Sequence, residues 1–274
     1  MRLTDDFLFS QACLQDFVDC RRRFYLRYFK RLAWPAIETA PALESERLLE
    51  MGAIFHRMAQ QSLLGISPQK LAELVDDPVL ARWWGNFPEL TLPEGSRHAE
   101  ISFSAPLGEH RLVAKFDLLL VTAEGRGIIY DWKTSARRPK RPWIAERLQT
   151  RVYPYLLVQA GQHFNADQPF EPEAVEMVYW YAEHPGQPER FSYSTGQYQS
   201  DQAYLVGLAQ TILDLDEEGF SLTADEKRCH FCVYRSLCDR GIVPGRVDES
   251  GEDLQDERDS ELTLDFEQIA EIEY

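Results

Sequence analysis

Residues 113–134 read VAKFDLLLVTAEGRGIIYDWKT and contain the clearest strand pattern of the chain. Two runs rich in aliphatic, β-branched and aromatic residues, 113–121 and 127–134, stand on either side of a short polar segment. Such a pattern predicts two antiparallel strands joined by a hairpin. If Val121 pairs with Gly127 across a five-residue loop, the numbers of opposite residues sum to 248.

This register brings two carboxylates and an amine together. Asp117 lies opposite Asp131, and the alternation of a strand puts Lys133 on the same face as Asp131. Opposite residues have Cβ atoms about 4.5–5.5 Å apart, and like charges at that separation destabilise a sheet. The cluster is either a buried salt-bridge network or a site for Mg²⁺ or Mn²⁺, whose charge relieves the repulsion. In a metal site, Lys133 would stabilise charge in the transition state.

The rest of the chain alternates between helical and strand patterns. Helices are predicted over 10–30, 44–64, 143–163 and 197–219, with two shorter ones between 68 and 87. Strands are predicted over 98–105, 111–121, 127–134, 174–182 and 190–194. Ser10 is the predicted N-cap of the first helix, and Pro154 predicts a kink or break at Tyr153. This order predicts a mixed α/β core with a helical lobe inserted before it.

Charge is distributed unevenly along the 274 residues. The 45 acidic and 29 basic residues give a net charge of −16, which does not favour nucleic acid as a first guess. Residues 246–274 contain twelve acidic and two basic residues and predict a solvated acidic tail. Basic residues concentrate in 20–31 and 133–151. An acidic start and the lack of a run of about 18 apolar residues predict a cytoplasmic protein that does not enter a membrane.

The carboxylates belong to a recognisable motif. Asp117, followed by DWK at 131–133 on the next strand, resembles the PD-(D/E)XK nuclease superfamily, with Phe116 in place of the proline of its motif. Residues 149–153, QTRVY, resemble the Q-x-x-x-Y motif of the RecB-like and AddB-like branch. Residues 52–56, GAIFH, resemble the G-x-x-x-H motif of the same branch. On a helix, the first and last residues of each motif share a face.

The resemblance implies a metal-dependent deoxyribonuclease, in particular an exonuclease, with a restriction-endonuclease-like mixed sheet flanked by helices. It implies metal ligation by His56, Asp117, Asp131 and the backbone carbonyl of Trp132, and catalysis by Asp117, Asp131 and Lys133. Glu100 matches an acidic position of the branch and is either structural or part of the site. The predicted organisation is an N-terminal helical lobe over 1–95, a nuclease core with a cluster-binding segment over 96–240, and an acidic tail over 241–274.

Four cysteines predict a second metal centre. Residues 229–238 have the spacing C-x₂-C-x₅-C, which can wrap three thiolates around one centre. Cys20 begins the segment CRRRFYL, which resembles the CPRRFYL segment of iron–sulfur nucleases of this superfamily. The resemblance implies a [4Fe–4S] cluster held by Cys20, Cys229, Cys232 and Cys238. Zinc is the alternative, with His230 as a substitute ligand, and the remaining Cys13 is predicted to be a small buried hydrophobe.

The two basic windows predict a DNA-binding surface, against the alternative of solvated charged faces. The predicted DNA-binding residues are Gln149, Tyr153, Arg21, Arg22, Arg137, Arg138 and Arg151. The expected partners are DNA, as single strands or ends, and helicase or integrase proteins. A RecB-like role in repair or recombination has three alternatives: a CRISPR adaptation nuclease that trims prespacer DNA, a non-catalytic DNA-binding subunit of a helicase–nuclease complex, and a zinc–thiolate interaction protein. The acidic tail is predicted to restrain the basic face or to recruit a basic partner.

Overall fold

The computed structural model describes residues 3–4, 6–32, 40–230 and 232–241, without the side chains of 40–46. Within them the strands are β1 (Leu8–Ser10), β2 (Ser96–Leu107), β3 (His110–Val121), β4 (Gly127–Lys133), β5 (Val175–Tyr181) and β6 (Glu189–Ser192). The α-helices are α1 (Gln11–Asp19), α2 (Arg21–Phe24), α3 (Ala40–Leu63), α4 (Pro68–Ala72), α5 (Pro78–Asn86), α6 (Arg141–Glu146), α7 (Leu148–Ala160) and α8 (Thr195–Asp214). The predicted tail lies outside the described residues except for residue 241.

The strands form one mixed sheet in the order β1-β3-β4-β5-β6, with β2 paired to β3. The pairs β1–β3 and β4–β5 are parallel, and the other pairs are antiparallel. In the hairpin of β3 and β4, Val121 pairs with Gly127 and Leu118 with Tyr130, so the predicted register is confirmed over the four pairs of this ladder. The ladder ends there, so the predicted direct pairing of Asp117 with Asp131 is not among its pairs. The predicted strands are present, and the short β1 adds one that the sequence did not indicate.

Helices cover both faces of the sheet. On one face α1, α7 and α8 pack against apolar residues of every strand from β2 to β5. On the other face α3, α4 and α5 enclose a second apolar cluster that includes Trp132 and Trp180. The predicted mixed sheet flanked by helices is therefore confirmed. None of the helices in the described ranges is long and apolar enough to cross a membrane.

One edge of β3 is divided between two strands. β1 pairs with residues 111–113 of β3, and β4 pairs with residues 118–121. Since β2 follows β3 along its whole length, β1 and β4 share the opposite edge. Residues 114–117 belong to neither of these two ladders, and the sheet forks there. At such a fork, side chains can take the place of backbone hydrogen-bonding partners.

The alternation of β2 and β3 breaks beside this fork. Phe116 and Leu118 face opposite apolar clusters although they are two residues apart, with Asp117 between them. On β2, Ala99 pairs with Leu118 and Ile101 with Phe116, and Glu100 between them has a left-handed backbone with φ of 54°. A residue other than glycine is strained there by about 1–2 kcal/mol. The kink re-aims the side chain of Glu100 toward the fork.

Ser10 caps α1 as predicted. Its Oγ accepts the N–H of Cys13 at 3.1 Å, and the N–H of Ser10 donates to Sγ of Cys13 at 3.1 Å in return. Cys13 is buried, as predicted, and burial raises the pKa of its thiol to about 12. This cysteine therefore serves the helix cap and the core.

The prediction of one helix over 10–30 is wrong. The backbone is extended at Cys20 (φ −160°, ψ 105°), and α2 and a π-helical turn over Tyr25–Phe29 follow it. The break lets Arg27 reach back to Asp16, with 2.8 Å between Nη1 and Oδ2. In a straight helix these residues would stand about 16 Å apart along the axis. Pairing of the buried carboxylate of Asp16 therefore favours the break.

The prediction of one helix over 143–163 is also wrong, because Arg147 is extended (φ −66°, ψ 142°) and separates α6 from α7. No break occurs at Tyr153, since Pro154 lies inside α7. An interior proline costs a helix about 3 kcal/mol, and burial of the apolar face of α7 against the sheet offsets that loss. The break at Arg147 makes Leu148 the first residue of α7, beside the fork.

Candidate active site at the fork of the sheet

Three ligating side chains from three different elements meet at the fork. His56 projects from α3, Glu100 from β2 and Asp117 from β3, and one ligand atom of each lies within 4.8 Å of the others. Nδ1 of His56 is 3.1 Å from Oδ1 of Asp117. Among the described residues this is the one such group of His, Cys, Asp or Glu atoms. Two carboxylates and an imidazole are a donor set that a divalent cation fits.

Asp131, Lys133 and Gln149 form an adjoining group. Nε2 of Gln149, on the first turn of α7, donates to Oδ1 of Asp131 at 2.5 Å, and Oε1 of Gln149 accepts from Nζ of Lys133 at 3.1 Å. Nζ of Lys133 lies 3.0 Å from Oδ2 of Asp131. All three side chains are buried, so each holds the other two in place. The predicted placement of Lys133 beside Asp131 is present, and Gln149 reaches the same group.

The main chain of Trp132 connects the two groups. Its N–H donates to Oδ2 of Asp117 at 2.7 Å. In a continuous antiparallel ladder the acceptor would be a backbone carbonyl of β3, and here the carboxylate takes that place. In an extended strand, the N–H and the carbonyl of one residue point toward the same edge. The carbonyl of Trp132 therefore faces the fork together with Asp117.

Tyr153 lies one turn after Gln149 and is buried on the face of α7 that meets the sheet. Its ring packs against Phe116 with 4.7 Å between centroids. Burial raises the pKa of the Tyr153 hydroxyl, and the carboxylates of Asp131 and Asp117 raise it further. Near neutral pH the hydroxyl therefore stays protonated and can donate.

The site concentrates acidic groups in a buried place. Burial raises the pKa of Asp131 to about 7, with Lys133 opposing the rise and Asp117 adding to it. Burial raises the pKa of Glu100, and the neighbouring Asp117 raises it further. Burial lowers the pKa of His56, but Asp117 and the other carboxylates outweigh burial and bring it to about 9. A bound divalent cation would displace these protons and relieve the repulsion, so the donor set fits such an ion.

Glu100, either structural or part of the site by sequence, lies in the site. Its position relative to Asp117 is encoded in a second hairpin of the sheet, where Leu107 pairs with His110 around Gly108. Extending that register along both strands puts Glu100 opposite Asp117. The left-handed backbone that turns the side chain inward has no counterpart in the sequence pattern.

The four cysteines of the predicted second centre come together. Burial raises the pKa of the Cys229 thiol to about 11, and the thiols of Cys232, Cys20 and Cys238 raise it further. Burial also raises the pKa values of Cys232 and Cys238. In the described part of the chain, no three of these sulfur atoms lie within 4.8 Å of one another. The four thiols are therefore electrostatic neighbours.

A buried ion network connects this cysteine segment with α7. Asp19 precedes Cys20, and its side chain is 1% exposed. Its Oδ1 lies 2.7 Å from Nη1 of Arg228 and accepts from Nε2 of Gln15 at 2.9 Å. Oε1 of Gln15 accepts the N–H of Leu148 at 3.0 Å. The first helix therefore fixes the start of α7, which carries Gln149.

Two of the predicted DNA-binding arginines have partners within the protein. Arg138 pairs with Glu189, and its Nη1 donates to Gln187 at 2.8 Å. Arg151 lies 3.0 Å from Asp201.

Two of the three other predicted arginines are exposed. Arg21 lies over the ring of Phe17, and Arg22 lies over the ring of Tyr25. Arg21 and Arg137 are exposed, and Arg22 is half-buried.

The forked mixed sheet gathers hard ligands beside a lysine. A cation and an ammonium so placed can stabilise the negative charge that develops when a phosphodiester bond is hydrolysed. The chain belongs to the PD-(D/E)XK nuclease superfamily, since residues 8–239 match the sequence profile of that family. The matched residues include all members of both groups at the fork. The membership that the motifs predicted is confirmed, and it implies a nuclease that acts on DNA.

Two solved structures are similar to this chain. A candidate exonuclease from Eubacterium rectale aligns with a TM-score of 0.51 and 10% identity, over 87% of this chain and 90% of that one. The protein SSO0001 aligns with a TM-score of 0.47 and 18% identity, over 86% of this chain and 87% of that one. The first similarity shows a shared fold. No curated protein matches the sequence.

Proposed function

We propose that this protein is a divalent-metal-dependent deoxyribonuclease of the RecB-like and AddB-like branch, an exonuclease that acts on DNA ends or single strands in repair or recombination. The observation that carries the proposal is the meeting of His56, Glu100 and Asp117 within 4.8 Å of one another. The pair of Asp131 and Lys133 beside them completes the motif of a catalytically intact family member.

Each residue of the site has a part in this proposal. Mg²⁺ or Mn²⁺ would be held by His56, Glu100, Asp117, Asp131 and the carbonyl of Trp132. When bound, such an ion supplies Lewis acidity and activates water at neutral pH. Lys133 orients Asp131 and places a fixed positive charge beside the reacting phosphate. Gln149 holds both side chains, so its first role is to position them.

DNA binding is assigned to the basic residues nearest the two sites. Arg21 is exposed beside Cys20, and Arg137 is exposed shortly after Lys133. Arg138 and Arg151 would have to exchange Glu189 and Asp201 for phosphate before they could contact DNA.

We assign a [4Fe–4S] cluster to Cys20, Cys229, Cys232 and Cys238. The electrostatic interaction of the Cys229 thiol with the thiols of Cys232, Cys20 and Cys238 supports a shared centre. Three cysteines spaced C-x₂-C-x₅-C and a fourth at Cys20 supply the four thiolates that such a cluster needs.

The cofactor is tested by anaerobic purification. A brown protein that absorbs at about 400 nm is expected, with the colour lost in Cys20→Ser and kept in the matched control Cys13→Ser. A colourless protein with stoichiometric zinc would contradict the cluster.

The nuclease is tested by digestion of end-labelled single-stranded and double-stranded DNA with Mn²⁺. Asp117→Ala, Asp131→Ala and Lys133→Ala should abolish cleavage with the fold retained, whereas the control Asp76→Ala, at an exposed acid, should not. Progressive shortening from the label would show an exonuclease and its polarity. Full activity in all three site variants would refute the site, and DNA binding without cleavage in any cation would favour a non-catalytic subunit.

A further inference from the structure

A second lysine lies at the fork. Lys115 is two residues before Asp117 on β3, and its Nζ is 2.5 Å from Oε2 of Glu100. It belongs to the stretch 114–117 that neither β1 nor β4 covers. Lys115 lies outside the D-x-K motif, and the role assigned to Lys133 does not account for a second lysine at the fork.

The two lysines differ in what can reach them. The side chain of Lys133 is 3% exposed and is enclosed by Asp131 and Gln149. The side chain of Lys115 is 35% exposed, and its partner Glu100 is 12% exposed. A phosphodiester that approaches from solvent therefore meets the ammonium of Lys115 before that of Lys133.

The partner of Lys115 is also a member of the cation-binding group. A divalent cation held by His56, Glu100 and Asp117 competes with the ammonium of Lys115 for the carboxylate of Glu100. Two cations on one carboxylate repel each other, so the bound ion weakens the hold of Glu100 on the lysine. The ammonium is then available to an anion while β3 keeps it beside the site.

We infer that Lys115 is a substrate-binding residue of the nuclease, which contacts a phosphate of the DNA strand at the fork once Glu100 is engaged by a cation. The inference rests on the proposed function. In the cation-free protein, the same lysine forms an ion pair with Glu100. Lys115 thus links occupation of the cation group to DNA binding.

The test compares Lys115→Gln with Lys115→Arg and with a matched control, Lys70→Gln, at an exposed lysine of α4. Fluorescence anisotropy measures binding of a labelled single-stranded oligonucleotide in Ca²⁺ over a series of salt concentrations. Loss of one phosphate contact should reduce the slope of log affinity against log salt by about 0.7 in Lys115→Gln. Lys115→Arg should keep most of the wild-type slope, and Lys70→Gln should keep all of it.

A second measurement needs no DNA. Calorimetric titration with Mn²⁺ should show cation binding at least as tight in Lys115→Gln as in the wild type, because the competitor for Glu100 has been removed. An unchanged salt slope in Lys115→Gln overturns the inference. Weaker cation binding together with a reduced slope also overturns it, since Lys115 would then act only by holding Glu100. A wild-type protein that neither binds nor cleaves DNA would instead refute the proposed function.

Discussion

Replacing Glu100 by glycine and by alanine should separate the backbone strain at residue 100 from the contribution of its carboxylate to cation binding. The residue has φ of 54°, a backbone conformation that destabilises the fold by about 1–2 kcal/mol for a residue with a side chain. Glycine adopts this conformation without strain. The freedom of glycine in the unfolded chain costs about 0.5–1 kcal/mol relative to alanine. Without a cation, Glu100→Gly should therefore be more stable than Glu100→Ala by about 0.5–1 kcal/mol, or about 1–4 °C in Tm. Both variants lose the ion pair with Lys115, so that loss cancels in the comparison.

A cation should stabilise the wild type more than either variant. A ligand at a hundred times its Kd stabilises the folded state by about 2.7 kcal/mol. The wild type should gain this amount in Mn²⁺, whereas both Glu100 variants, which lack one carboxylate of the group, should gain less at the same concentration. Urea unfolding with EDTA and with Mn²⁺ measures both effects on the same proteins.

Two results would refute this reasoning separately. Equal stability of Glu100→Gly and Glu100→Ala in EDTA would show that the backbone at residue 100 is not strained. Equal gains in Mn²⁺ for the wild type and both variants would show that Glu100 is not a ligand.

Other outcomes follow from the same geometry. Cation affinity should rise between about pH 6 and pH 9, because Asp131 and His56 must lose their protons before they bind a cation. The pKa is about 7 for Asp131 and about 9 for His56. Calorimetry across that range measures the affinity, and a constant value would contradict the prediction. Gln15→Ala should lower the free energy of unfolding by about 1–3 kcal/mol in urea, since it leaves the buried N–H of Leu148 without its acceptor. A loss of less than about 0.5 kcal/mol would show that water replaces the glutamine. Deleting residues 246–274 removes a net charge of −10 and should tighten DNA binding most at low salt, as measured by anisotropy; unchanged affinity at low salt would leave the tail without this role.

Much of the fold could be predicted because its information is local. The register of β3 and β4 follows from one loop length, since a hairpin carries its pairing outward from the turn. The cap at Ser10 depends on residues three positions apart. The two helix predictions failed where contacts with distant residues favour an extended backbone. The break at Cys20 allows Arg27 to pair with Asp16. The break at Arg147 makes Leu148 the first residue of α7, where its N–H donates to Gln15.

Local sequence pattern accounts for the motif residues Asp117, Asp131 and Lys133, for their order on two strands, and for the chemistry that such residues support. The tertiary structure alone decided that His56, 61 residues before Asp117, comes within 3.1 Å of it, and that Glu100 joins them through a left-handed backbone. It also decided that Lys133 is enclosed while Lys115 is accessible. A hairpin sets its own register because its two strands are joined by a short loop. Contacts between α3, β2 and β3 join residues far apart in the chain, so they form only when the helices pack on the sheet.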